Sequence, residues 1–144
     1  MITDDLIQIP VNAFAYELIR EELLPDLMGK EASRILYWAG KNLARKYPVE
    51  TVEDILAFFE KAGWGTLTIV EQKRREMQLE LTGPLVTERY RNKRETTYQM
   101  EAGFIAQQLQ QQRKVITEAY EEQKKRSNKV LFIVQWDAKD TIEE

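Results

Sequence analysis

The chain has 144 residues, with 21 basic and 24 acidic side chains and a formal charge of −3, enough length for one domain with a real core. Apolar residues make up 43% and charged residues 31%, the balance of a soluble globular protein, and no apolar run approaches the roughly 20 residues that cross a bilayer. Cysteine and histidine are both absent, which excludes disulfides, thiolate nucleophiles, Cys/His zinc sites and the usual proton shuttle near neutral pH.

The first ten residues read as acidic and short on apolar residues, so no signal peptide is expected there. Asn12 is placed to cap a first helix running to about Leu24, with Pro25 stopping or kinking it. Tyr16, Ile19 and Leu23 form one stripe on it, while Phe14 and Leu18 give it a second apolar face. A second helix is expected from about Glu31 to Tyr47, with a core stripe of Ala32, Ile35, Leu36, Ala39 and Leu43. Thr51 caps a third, with Glu53 and Asp54 in its first turn, Ile55, Phe58, Phe59 and Ala62 on its apolar side, and Gly63 closing it.

The period then changes from helical to alternating. Gly65 to Val70 places Leu67 and Ile69 on one face, and Met77, Leu79 and Leu81 alternate with Gln78, Glu80 and Thr82, which predicts a hairpin. Gly83-Pro84 breaks the chain, and a short basic segment follows to Glu95. A fourth main helix is predicted from about Tyr98 to Gln111, with Ala102, Ile105 and Leu109 on its core face and Met100 and Phe104 off it. Val115 to Lys125 is rich in helix formers, and propensity alone extends that helix through it. Val130 to Trp136 is β-branched and aromatic, which suits a strand covered on both faces. Helices first, then a hairpin, a helix and further strand predict an α+β fold, with helices on one face of a mostly antiparallel sheet.

Sequence motifs for catalysis are missing. The two serines, Ser33 and Ser127, lie in no nucleophile elbow, and no histidine exists to activate them. Gly63-Trp64-Gly65 begins like a dinucleotide fingerprint, but Thr68 stands where the third glycine belongs. No acidic run has calcium-loop spacing, although a carboxylate-only magnesium or calcium site stays open. The expectation is therefore a protein that is not an enzyme and carries no cofactor.

Four blocks carry a resemblance: Ala13-Phe14-Ala15-Tyr16-Glu17-Leu18-Ile19-Arg20, Tyr37-Trp38-Ala39-Gly40-Lys41, Gly63-Trp64-Gly65-Thr66-Leu67-Thr68 and Glu101-Ala102-Gly103-Phe104-Ile105-Ala106. In this order they resemble the YslB-like family of small proteins of Gram-positive bacteria, over nearly the whole chain. More distantly the pattern resembles the ligand-binding superfamily shared by vinyl-reductase-type domains, haem nitric-oxide sensors and TRAPP trafficking subunits. That resemblance implies a four-stranded sheet covered by helices, and it reads Val115 to Lys125 as the third strand, against propensity. It also implies an apolar ligand or acyl chain held between helices and sheet, and a homodimer formed through helices. Vinyl-reductase-type domains usually have a cysteine where Tyr98 stands here, and the haem branch needs an axial ligand that this chain lacks, so a thiol, metal or haem site is not expected.

Individual residues admit two readings each. Glu101 is either a carboxylate that orients a ligand or a structural acid paired with an arginine. Trp38, near Arg34, Lys41 and Arg45 on the wheel, is either a surface cation–π residue or an interface residue. Trp64 either plugs the junction of helix and sheet or walls a pocket. Arg89, Arg91, Lys93 and Arg94 around Tyr90 read as a solvated loop rather than a phosphate grip, so no nucleic acid is expected. By analogy of fold position, the resemblance places candidate ligand contacts at Tyr37, Trp64, Tyr98 and Phe104, and a partner interface at Phe14, Leu18 and Trp38. The combined expectation is a single domain over residues 1–144, a cytoplasmic, homodimeric binding module for an apolar small molecule. A protein–protein adaptor with a solid core and no ligand is the alternative.

Overall fold

The computed structural model describes the backbone of residues 1–141 and the side chains through Asp137. The first helical stretch comprises α1 (Ala13–Glu17), a π-helical turn (Leu18–Leu23) and α2 (Leu24–Met28). Asn12 caps it as expected, accepting the Ala15 N–H at 3.0 Å. Pro25 does not stop it. A proline cannot donate to the carbonyl four residues earlier, and here that carbonyl, on Glu21, accepts from Arg94 Nη2 at 3.0 Å instead. The helix therefore runs on to Met28, where Gly29 turns it with φ +65°.

Next come α3 (Ala32–Lys46) and α4 (Val52–Lys61). At the start of α4, Thr51 and Asp54 form a reciprocal capping box. The inner side of α3 differs from the predicted stripe. Gly40 and Ala44 are buried, while Ile35 is exposed. The reason is the neighbouring helix α6 (Gln99–Arg113), which crosses α3 backbone to backbone. A Cβ on Gly40 would overlap the Met100 carbonyl oxygen and come within 2.9 Å of Phe104 N, and one on Gly103 would overlap the Tyr37 carbonyl oxygen. A periodicity search weights large apolar residues, so it misses a face chosen for smallness.

The sheet contains β1 (Thr66–Gln72), β2 (Glu76–Thr82), β3 (Val115–Lys124) and β4 (Lys129–Thr141), all pairings antiparallel, in the order β1-β2-β4-β3. Between β2 and α6 the basic segment forms α5 (Pro84–Arg91), which contains the buried Arg89, so that side chain does not belong to a solvated loop. The core lies between sheet and helices. Met77, Leu79 and Leu81 of β2 and Val130, Phe132 and Val134 of β4 face Ile55, Phe59 and α6 across it. Helix α6 is buried on all sides from Glu101 to Leu109, with sheet beneath and α3 above. Phe104, expected off the core face, is thus fully buried.

Through Asp137, strand β4 is fully buried on one face only. Its outward residues Leu131 and Ile133 are half-buried, so its continuous apolar run reflects a central strand between two neighbours rather than burial on both faces. Strand β3 forms where propensity favoured helix. Its inward row is Thr117, Ala119, Glu121 and Gln123, small then polar, and its outward row includes Ile116 and Tyr120. Close packing of α6 admits only small groups at Thr117 and Ala119. Further along, Glu121 accepts the Tyr98 N–H at 2.8 Å and Gln123 donates to Thr96 O at 2.9 Å, tying down the loop before α6.

Candidate functional site

The π-helical turn points Arg20 inward, and four groups meet its guanidinium. Nη1 lies 2.7 Å from Glu101 Oε2 and donates to Tyr16 Oη at 3.0 Å; Nε donates to Glu21 at 3.2 Å and Nη2 to Thr97 O at 3.2 Å. Arg89 donates in a fork to Glu17, at 2.8 and 2.7 Å, and reaches Tyr98 Oη at 3.3 Å. The Tyr98 ring lies between both guanidiniums, with centroid distances of 5.4 and 5.6 Å. Of the two readings of Glu101, the arginine pair is what forms. The contact is a close ion pair, and Glu101 Oε1 has no hydrogen-bond partner among the described residues.

Burial opposes the charge on Arg20, yet Glu101 and Tyr16 outweigh it and hold the guanidinium well above its usual range. Burial pushes the Tyr98 phenol up, against the opposing pull of Arg89 and Arg20. Both shifts carry their group further from neutral pH. The role of the cluster in this fold is to fasten the N-terminal helix to α5 and α6.

The structure does not gather the four candidate ligand residues into one place. Trp64 and Phe104 are neighbours at 5.3 Å, in an aromatic cluster where Phe58 stacks on Phe104 at 4.5 Å and Phe59 meets Trp64 edge-on at 4.9 Å. Tyr98 lies within the ion network. Tyr37 sits at the sheet edge, where its hydroxyl donates to Glu118 at 2.6 Å and accepts the Ala119 N–H at 3.1 Å. Of the interface candidates, Phe14 is 71% exposed and Trp38 61%, with Leu18 also exposed. Lys41 stacks on Tyr37 rather than on Trp38.

Among the cavities that open between described residues of the helical layer, two lie beside the elements discussed above. One, of about 380 Å³, lies between the N-terminal segment and the aromatic cluster, with Ile2, Leu6 and Ile7 on one side and Leu43, Phe58 and Trp64 on the other. The 3-10 turn Asp4–Gln8 that covers it is held by Ile2 N–H donating to Tyr47 Oη at 2.9 Å and Lys61 pairing with Asp4 at 3.1 Å. Sequence reading missed this cover by weighting the two aspartates over Ile2, Leu6 and Ile7, whose spacing was the available signal. The other cavity, of about 400 Å³, lies beside the π-helical turn, among α2, the start of α3 and residues 95–97. No group of three or more acidic side chains is placed to hold a metal ion among the described residues. Nor is any of their helices long and apolar enough to cross a membrane.

The family model described as a protein of unknown function (DUF2507) matches residues 13–135. The chain belongs to this family. It is 52% identical over 139 residues to the uncharacterized protein YslB of Bacillus subtilis (strain 168), covering 96% of this chain and 94% of that one. In three dimensions it resembles a vinyl-4-reductase family protein from Methanocaldococcus jannaschii, with a TM-score of 0.68 and 17% identity over 94% of this chain and 88% of that one. At that identity the likeness establishes the fold, an α+β arrangement on a four-stranded antiparallel sheet. The four sequence blocks of the DUF2507 family member have a physical content: two of them supply Gly40 and Gly103, whose missing side chains let α3 and α6 cross.

Proposed function

We propose that this DUF2507 protein is a non-catalytic, cytoplasmic, single-domain module that binds an apolar small molecule or acyl chain in the cavity beneath its N-terminal turn. The observation that carries this reading is the pairing of an aromatic floor, Phe58 and Trp64, with an apolar cover held by two exposed polar contacts. A cavity of about 380 Å³ is in the size range of small-molecule sites, and its mostly apolar wall selects apolar ligands. Trp64 contacts the ligand and Phe104 backs the wall through Phe58; Tyr37 and Tyr98 serve the scaffold.

The test uses Trp64 as its own reporter. In a Trp38→Phe, Trp136→Phe background, decanoate should shift Trp64 emission saturably, and Ala62→Phe, which narrows the cavity, should abolish the shift. An unchanged emission, or a shift that survives Ala62→Phe, overturns the reading.

A second reading rests on the outer side of the N-terminal helix, where Phe14, Leu18, Ile19, Leu23 and Leu27 are all exposed. The occupant we assign to this face is a second copy of the chain. One helix face can serve both halves of a two-fold contact, and its end exposes both signs of charge for matching, with Asp26 and Lys30 each without an ion pair among the described residues. Trp38 would extend that interface. Sedimentation of the wild type should give a dimer and Phe14→Glu, Leu18→Glu a monomer; a wild-type monomer leaves the face to a different protein and favours the adaptor.

A further inference from the structure

The exposed apolar residues of the N-terminal helix do not keep an α-helical period. Phe14, Leu18, Leu23 and Leu27 follow one another at steps of four, five and four. The five-residue step coincides with the π-helical turn, whose hydrogen bonds span five residues instead of four and so stack Leu23 over Leu18. The extra residue keeps all four side chains in one outward row, flanked by the exposed Ile19. It also opens the row. Leu18, Ile19 and Leu23, with Glu22 and Asp26, line a shallow groove of about 320 Å³. Phe14, the largest side chain of the row, projects from the turn before that groove.

A knob and a groove on one helix fit each other when two copies of the helix run antiparallel. We propose, resting on the dimer reading above, that two copies of the chain pair this helix antiparallel about a two-fold axis at Leu18, with Phe14 of each filling the groove of the other. Leu18 then meets Leu18 of the second copy. Leu27 falls one turn further, beside the chain that leads into the other helix, where Val11 is exposed as well. Each contact is made twice, as the symmetry requires. Charge selects the direction. A parallel pair sets Glu22 and Asp26 each against its own copy, an opposition of like charges that weakens association. In the antiparallel pair both carboxylates come level with residues 9–16 of the second copy, a stretch without any charged side chain.

The chain has no cysteine, so single introduced cysteines report the register. Leu18→Cys, Phe14→Cys and Leu23→Cys change exposed positions and leave the core untouched. Each is oxidised with copper–phenanthroline alone, and Phe14→Cys is also oxidised in mixture with Leu23→Cys. A disulfide needs Cα atoms within about 7 Å. At about 1.5 Å per residue, antiparallel pairing about Leu18 sets the two Phe14 positions roughly 12 Å apart along the axis and the two Leu23 positions roughly 15 Å. Leu18→Cys alone and the mixed pair should therefore reach covalent dimer at least about tenfold faster than Phe14→Cys or Leu23→Cys alone. If wild-type protein sediments as a dimer but Phe14→Cys or Leu23→Cys alone oxidises as fast as Leu18→Cys, the register is overturned and the dimer reading stands. A wild-type monomer in sedimentation overturns both.

Discussion

Gly103→Ala tests the helix crossing on which the helical layer depends. Taken alone, replacing glycine by alanine inside a helix stabilises it by about 1 kcal/mol. Here the new Cβ overlaps the Tyr37 carbonyl oxygen, with the Tyr37 carbonyl carbon at 2.9 Å and Lys41 N at 3.2 Å. All three are backbone atoms, so no rotamer change relieves the clash and the helices must separate. Overpacking costs about 1–3 kcal/mol and sometimes more, and rigid backbone on both sides puts this case at the upper end or beyond. Moving α3 also pulls Tyr37 from Ala119, the loss of a further bond worth about 1 kcal/mol. The net expectation is destabilisation by about 3 kcal/mol, a fall in Tm on the order of 10 °C for a domain of this size. Urea unfolding followed by circular dichroism at equal m-value measures it. Because propensity and crowding have opposite signs, a variant as stable as the wild type, or more stable, refutes the close crossing.

Arg20→Met should cost about 3–5 kcal/mol in the same assay, because it leaves Glu101 buried without its counter-charge, and Glu101→Gln in that background should recover part of the loss. Gln108→Leu removes the partner of both Val49 N–H, at 3.1 Å, and Tyr47 O, at 2.8 Å, and should cost about 2 kcal/mol; no change would remove the glutamine from its bracing role. Burial raises the phenol pKa of Tyr16, Tyr37, Tyr90 and Tyr98 above the ordinary value of 10.0. The folded state then holds phenolic protons that the unfolded chain releases, so this stabilisation is complete below pH 10 and is lost as pH rises through the folded values. An alkaline titration at 295 nm should show these phenols ionising together with loss of the far-ultraviolet signal; their ionisation in an intact fold contradicts the burial.

Much of the fold can be read from the chain because local signals and tertiary demands agree. The Asn12 and Thr51 caps, the Gly63 exit and the alternating rows of β1 and β2 each act through neighbours in sequence, and each reading matches the structure. The failures share a cause, which is a partner remote in sequence. Pro25 is tolerated because Arg94 satisfies the carbonyl it frees. Arg89 is buried because Glu17, 72 positions away, forks it. The glutamines of α6 lack a pattern in one dimension; in space Gln108 and Gln112 bond the 47–51 link and Gln110 holds β3. The cavities were less legible still, since their walls come from the N-terminal turn, α3 and the loop before α6.

Strand β3 ends the sheet, and two of its amides, on Thr117 and Ala119, are occupied by side chains of the helical layer, Gln110 and Tyr37. An open strand edge is a template on which other chains can add. The helices are therefore also a sheath. An excursion that lifts α3 frees the Ala119 amide, flanked on the outer face by the apolar Tyr120, for pairing with another strand, while Gln110 on α6 still holds the amide of Thr117.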